Sequence, residues 1–405
     1  MIKRIPITAL RAGMYVHDLN CDWMTHPFYR SRFMLKSEQQ LQTIRNLGVP
    51  MIYIDTALGA DAPDAPSGNE IRDALDREMI EVAASAPPPN RPRSLKEEMG
   101  RAKQVHAEAN LIIRGALERA RLGEDIVLDE VEEVVDKISA SLMSNPGALL
   151  SLCRIRNADE YTFLHSVSVG TLMTAFCSFQ GMDTATVRQA GIGGLMHDLG
   201  KMKTPSHILN KPDRLTPQEF DVMKRHPGEG HQLLQDIRGI RDEQLIITIQ
   251  HHERLDGSGY PNKLVAADID PLAQMAAIAD VYDALTAERC YHRATPPTEA
   301  LRKLLEWSRH HFNVEHVHRF IRCVGIYPVG STVILESGRI GVVVQQNEED
   351  LLTPTVLAVY DSKRFQPVAP QKVDLSKPVG HGGGDRILTS TEPERWNIEP
   401  REFLG

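Results

Sequence analysis

Between residues 125 and 324 the chain offers almost nothing but helix, and this constrains its fold more than any other feature. Apolar residues recur there at the three- and four-residue spacing of one helical face. The pattern predicts helices over 129–144, 146–156, 159–180, 184–198, 217–237, 242–254, 271–288, 297–310 and 314–324. Thr216-Pro217-Gln218-Glu219 opens one of them with a capping box and with Pro at the first helical position. Successive helices without strands between them bury their apolar faces only against one another, so the expected class is mainly α, built on a helical bundle.

The flanks differ in texture. Residues 1–56 mix strand-like runs, Tyr15-Val16 and Met51-Ile52-Tyr53-Ile54, with a helix that starts at Ser37 and stops at Gly48, which predicts a small α+β domain. Residues 57–93 have the Ala, Pro, Asp and Gly of a linker, with one short helix near 71–84. Ser94-Leu95-Lys96-Glu97 has capping-box spacing and opens a connecting helix over 94–124. The small-residue stripe of that helix suits either packing on its own chain or a homodimer stalk. The bundle itself runs from 125 to 325. Beyond it, Thr332-Val333-Ile334-Leu335 and the runs at 340–344 and 356–359 predict a small antiparallel β appendage over 326–375. Residues 376–405, with Gly382-Gly383-Gly384, read as a poorly ordered tail.

Composition closes off several functions. Lys plus Arg number 46 and Asp plus Glu 54, so the net charge is −8, and an acidic chain argues against nucleic acid as the partner. No apolar run approaches the roughly 20 residues of a membrane span. Arg11, His17 and Asp18 interrupt any signal-peptide core. Five scattered cysteines without a Cys-x-x-Cys pair suit a reducing cytoplasm and exclude a disulfide scaffold.

Seven of the sixteen histidines fall between His165 and His252. His197-Asp198 ends one apolar helix and His251-His252 ends another. His165, His226 and Asp280 lie on further helices. Buried ionisable groups are costly unless they are paired or bind metal, and this combination is hard to explain by packing. Neighbouring side chains on a helix diverge, yet Asp198 has two oxygens and can bridge two ions. Mixed imidazole and carboxylate donors suit Fe, Mn, Zn or Ni.

The order and spacing of the motifs carry a resemblance. They are Tyr161-Thr162-Phe163-Leu164-His165-Ser166, His197-Asp198-Leu199-Gly200-Lys201, Lys224-Arg225-His226-Pro227, the run from His251-His252-Glu253 to Gly259-Tyr260-Pro261, and Ala279-Asp280-Val281-Tyr282-Asp283. Residues 155–324 resemble an HD-GYP domain, a branch of the HD metal-dependent phosphohydrolases. The N-terminal segment resembles a small uncharacterised domain that often precedes such domains. The resemblance implies a cytoplasmic phosphodiesterase that hydrolyses the bacterial second messenger cyclic di-GMP to linear pGpG, with GMP as a further product. It implies two divalent transition metals, Fe or Mn before Zn or Ni. His165, His197, Asp198 and Asp280 would hold one ion, and Asp198, His226, His251 and His252 the other. Asp198 and Lys201 would be catalytic. Substrate would meet Lys201, Gly259, Tyr260, Pro261, Asp283 and Arg289, and a signalling protein such as a diguanylate cyclase would dock at the 256–261 loop.

The chain departs from the family at three places. Tyr161 stands where some members have a metal-binding Glu, which implies two metals, not three. Cys290 and His292 replace a common Pro and a basic residue, and Leu255 a common Trp. The rival readings are an HD phosphohydrolase of another nucleotide, including 3′,3′-cyclic GMP-AMP, and a catalytically weak cyclic di-GMP receptor that works through protein contacts.

Overall fold

The computed structural model describes residues 1–21, 32–85, 95–153, 161–211, 215–287, 294–347, 350–378 and 384–403. At the N-terminus, β1 (Ile2–Pro6), β2 (Tyr15–Asp18), β3 (Phe33–Met34), α1 (Glu38–Arg45) and β4 (Met51–Asp55) form the expected α+β unit. Its antiparallel sheet has strand order β1-β4-β2-β3. Alternation along β4 turns Ile52 and Ile54 inward, where they meet Leu41 and Ile44 of α1. Ser37 caps α1 reciprocally with Gln40.

The helix expected near 71–84 within the linker is present and starts three residues earlier, as the 17-residue α2 (Gly68–Ala84). Ser67 and Glu70 form a capping box at its start. Leu75, Met79 and Val82 enter the same core as helices of the bundle, so α2 is part of the packed body.

The bundle follows: α3 (Leu95–Leu122), α4 (Leu128–Ser144), α5 (Pro146–Leu152), α6 (Tyr161–Phe179), α7 (Thr184–Met196), α8 (Ser206–Leu209), α9 (Pro217–Met223), α10 (His226–Gln235), α11 (Asp242–Gln250), α12 (Pro271–Thr286), α13 (Pro297–Trp307) and α14 (Val314–Val324). The stripe of α3 settles its own ambiguity. Ala102, Ala109, Ile113 and Leu117 are buried against Val131, Val135 and Ile138 of α4 and Leu149 of α5. Ser141 donates to the buried Glu98 at 2.8 Å and pins the same pair of helices. Of the two expectations for this stripe, packing on its own chain is the one that these contacts display.

α6 and α7 cross at glycine. A Cβ on Gly194 would lie 2.9 Å from the Gly170 Cα, so a side chain there would force the helices apart. That close approach brings the rings of His165 and His197 to 5.2 Å between centroids.

The C-terminal unit is a five-stranded antiparallel sheet of β5 (Thr332–Leu335), β6 (Arg339–Gln345), β7 (Thr355–Asp361), β8 (Gln366–Asp374) and β9 (Ile387–Ser390), in the order β8-β7-β6-β5-β9. β9 lies in the predicted tail, which is thus partly ordered: Ile387 and Thr389 pair with Leu335 and Ile334. Helix α13 ties the appendages together. Its Arg302, 4% exposed, bonds Asp76 of α2, Glu299 at 2.6 Å and the Ser390 hydroxyl of β9 at 3.0 Å.

Candidate metal centre

Each ligand candidate sits where the backbone leaves a helix or in the middle of an apolar one. His165 projects from α6 and Asp280 from α12. His197 and His251 are the C-terminal caps of α7 and α11, followed at once by Asp198 and His252. His226 opens α10 and does not lie inside the single 217–237 helix that the periodicity predicts. Pro227 explains the break. It has no amide proton to give the Met223 carbonyl, four residues back, so a continuous helix would leave that carbonyl unserved.

The helix ends have a second use. His197 Nδ1 lies 2.8 Å from the Gly194 oxygen, His226 Nδ1 2.8 Å from that of Met223, and His251 Nδ1 2.8 Å from that of Thr248. A carbonyl only accepts, so each Nδ1 carries a proton and Nε2 is the edge turned away from the helix end. Orphaned carbonyls at helix termini thereby orient three imidazoles. His165 uses a side chain for the same purpose: its Nδ1 lies 2.7 Å from Asp283 Oδ2. Asp283, expected at the substrate, supports His165 through this oxygen.

The free edges converge. Nε2 of His165 is 3.1 Å from Asp280 Oδ1 and 3.5 Å from Asp198 Oδ2, and Nε2 of His197 is 3.4 Å from the same Asp198 oxygen. Asp198 Oδ1 faces the other way, 3.2 Å from His226 Nε2 and 3.9 Å from His251 Nε2. Two donor groups result, Asp198 with His226, His251 and His252, and His165 with His197 and Asp280. Within each group all donor atoms lie inside 4.8 Å of one another. All seven residues predicted from the sequence are in them.

The donor set fits divalent cations. Nε2 of His197 and of His252 are buried and take no hydrogen bond. Burial lowers the pKa of His251 and His252 well below the ordinary range, and the neighbouring imidazoles add to it, so both rings are neutral. Burial works against ionisation of Asp198 and Asp280. The histidines around them, and Lys201 beside Asp198, outweigh it and hold both carboxyls well below their usual range. Neutral imidazoles beside ionised carboxylates are the protonation states that metal coordination needs.

Around this centre, Lys201 lies in a short 3-10 turn (Leu199–Lys203) with Nζ 2.5 Å from Asp198 Oδ2. Tyr260 lies against His252, with ring centroids 4.6 Å apart and planes 32° apart, and its N–H donates to the His252 carbonyl at 3.2 Å. Gly259 is buried under the loop, since a Cβ there would fall 2.5 Å from the Glu253 Cα. Pro261 is exposed. Arg289 and Cys290 lie outside the described residues, and so does the side chain of Tyr161. Sequence reasoning assigned no role to Glu253. It is 2% exposed and accepts the N–H of Asn262 at 2.7 Å and of Leu264 at 3.0 Å, closing the loop over the centre. The signal was an acid directly after a histidine doublet.

A family model described as HD domain matches residues 142–315, and one described as a domain of unknown function, DUF3391, matches 2–131. The cyclic di-GMP phosphodiesterase PA4108 of Pseudomonas aeruginosa is 40% identical over 399 residues, covering 98% of this chain and 94% of that protein. The chain belongs to the HD-GYP family. This HD-GYP protein is accordingly a metal-dependent phosphodiesterase. The 3′3′-cGAMP-specific phosphodiesterase 1 of Vibrio cholerae is also similar, at 37% identity over 146 residues, 35% of this chain and 33% of that one. Bd1817, an HD-GYP-type protein of Bdellovibrio bacteriovorus of solved structure, covers 79% of this chain and 98% of its own at 22% identity and a TM-score of 0.48. Among the described residues no helix is long and apolar enough to cross a membrane.

Proposed function

We propose that the chain hydrolyses cyclic di-GMP to linear pGpG in the cytoplasm, using two divalent ions, Fe or Mn, held at this centre. The observation that carries the reading is the position of Asp198, with one oxygen turned to each donor group. His165, His197 and Asp280 complete one set, and His226, His251 and His252 the other. Bound there, the ions supply Lewis acidity toward a phosphodiester and lower the pKa of water.

The chain's own groups do the rest. Asp198 and Asp280 bring two negative charges to a pocket lined by five imidazoles, which favours dications over monovalent ions. Lys201, 17% exposed at its side chain, stands at the open side of Asp198 and offers a cation to a phosphate oxygen. The Tyr260 ring, half-buried on His252, gives a guanine base a flat surface at the rim. Together they place a phosphodiester over the centre with a base against the loop.

The test is purified protein loaded with Mn or Fe and offered cyclic di-GMP, 3′,3′-cyclic GMP-AMP and cyclic di-AMP, with products separated by chromatography. Preferred conversion of cyclic di-GMP to pGpG is expected. Faster turnover of the mixed dinucleotide would move the reading to that substrate, and binding without turnover would make the chain a receptor.

A further inference from the structure

Helix α13 carries a carboxylate that the metal centre does not use. Glu306 is 8% exposed, and three groups of the N-terminal unit converge on it. Arg4 Nη1 of β1 and Asn20 Nδ2, just beyond β2, each lie 3.1 Å from Oε1. The Tyr53 hydroxyl of β4 donates between both oxygens, at 2.9 and 3.0 Å. Asn20 in turn accepts the Trp307 indole N–H at 2.9 Å. Apolar faces tolerate sliding, whereas a buried carboxylate with three donors allows one placement of the two surfaces.

A few residues further on, the chain meets the loop that presents Tyr260. The His311 carbonyl accepts the Leu255 N–H at 3.1 Å, and its Nε2 lies 3.6 Å from Asp256 Oδ2. The Arg254 guanidinium stands over the Phe312 ring at 5.1 Å. Asp256 passes the support on, accepting from the Ser258 N–H at 3.0 Å and from its hydroxyl at 2.6 Å. From the N-terminal unit, Gly48 comes against Ser258 directly: a Cβ on Gly48 would lie 3.8 Å from the Ser258 Cβ. Between the two units is a cavity of about 260 Å³, lined among others by Arg4, Met51, Trp307 and His311. Across this cavity the N-terminal unit reaches the start of the 307–311 segment through the bonds to Glu306 and Trp307.

We propose that Glu306 is a positioning residue for substrate, through which the N-terminal DUF3391 unit fixes the 254–261 loop and hence Tyr260 beside the centre. This gives the uncharacterised unit a task in the reaction without a ligand of its own. The inference rests on the cyclic di-GMP reading only for the substrate used to test it.

Full-length Tyr53→Phe and Glu306→Gln proteins are compared with wild type in four measurements: kinetics on cyclic di-GMP, kinetics on bis(4-nitrophenyl) phosphate, metal content, and amide hydrogen exchange over 254–264. The small diester reaches the metals without needing the loop. The proposal expects KM for cyclic di-GMP to rise about five- to tenfold, as loss of one charge-assisted bond allows. It expects faster exchange in the loop, with metal content and turnover of the small diester within about twofold of wild type, a change too small to reflect a lost bond. Unchanged KM and unchanged exchange in Tyr53→Phe would overturn it, and so would equal losses on both substrates, which damage to the whole fold produces. Tyr53→Phe removes a single hydroxyl, so it decides the matter even if Glu306→Gln does not fold. If wild type cleaves only the small diester, the substrate reading fails, and the exchange data alone decide the positioning role.

Discussion

His226 Nδ1 sits 2.8 Å from the carbonyl oxygen of Met223, the acceptor that Pro227 leaves unserved for want of an amide proton. One proline thus breaks a helix and orients a ligand. Restoring the amide with Pro227→Ala lets α9 and α10 join and puts a backbone N–H in competition with the imidazole. The expected result is a loss of roughly 10- to 100-fold in affinity for one of two metals, the range seen when the support of a ligand histidine is removed. Metal titration by calorimetry checks it, and two unchanged binding steps would show that the Met223 bond does not orient His226.

Asp198 turns one oxygen to each donor group, and no neighbouring residue can replace it. Asp198→Ala should abolish turnover and deplete metal at both positions, whereas loss of His165 alone should spare the second. Metal analysis of the two variants side by side separates a bridging carboxylate from one that serves a single ion.

Glu253 accepts two backbone N–H groups of the loop, and a glutamine in its place accepts one and turns its own NH₂ toward the other. Glu253→Gln should therefore lower kcat/KM on cyclic di-GMP about tenfold, mostly through KM. Metal content should hold. A fall in kcat alone would place Glu253 in the chemical step and not in the support of Tyr260.

The stripe of α3 is buried by its own chain, and stability reports this. Ile113 is 1% exposed and Leu111 is 72% exposed on the same helix. Ile113→Ala should cost about 2–5 kcal/mol in denaturant unfolding. Leu111→Ala should stay within about 0.5 kcal/mol. Light scattering completes the test: dissociation of a dimer by Leu111→Ala would return the stalk to consideration.

The seven candidates were legible in combination, because two doublets and three isolated His or Asp residues on apolar helices are hard to explain by packing, and the family resemblance assigned them to two ions. What stayed hidden was what backbone geometry decides. The Lys224-Arg225 break could not be read from periodicity, since Phe220, Met223 and Leu234 continue the same apolar face across it. Asp283 was placed on the right helical face, one turn from Asp280, but spacing does not say whether a carboxylate turns to the substrate or behind a ligand. The stripe of α3 predicted a helix–helix contact without saying which helix. The linker composition of 57–93 hid the start of α2 and its place in the packed core, although Ser67 and Glu70 already had capping-box spacing. β9 is four residues long behind a run of glycines, too short for a pattern, and it is ordered by pairing with β5.

The central claim is a centre of two metals per chain. Tyr161 stands where a third ion would need a carboxylate, and a phenol with a pKa of about 10 is a poor ligand at neutral pH. With no third cation to hold the added terminal phosphate, the linear product should leave, and pGpG should accumulate ahead of GMP. The direct measurement is the metal-to-chain ratio of protein loaded anaerobically with Fe or Mn and freed of loose ions. The account predicts a ratio of two that falls with Asp198→Ala. A stable ratio of one or three in active protein would contradict it.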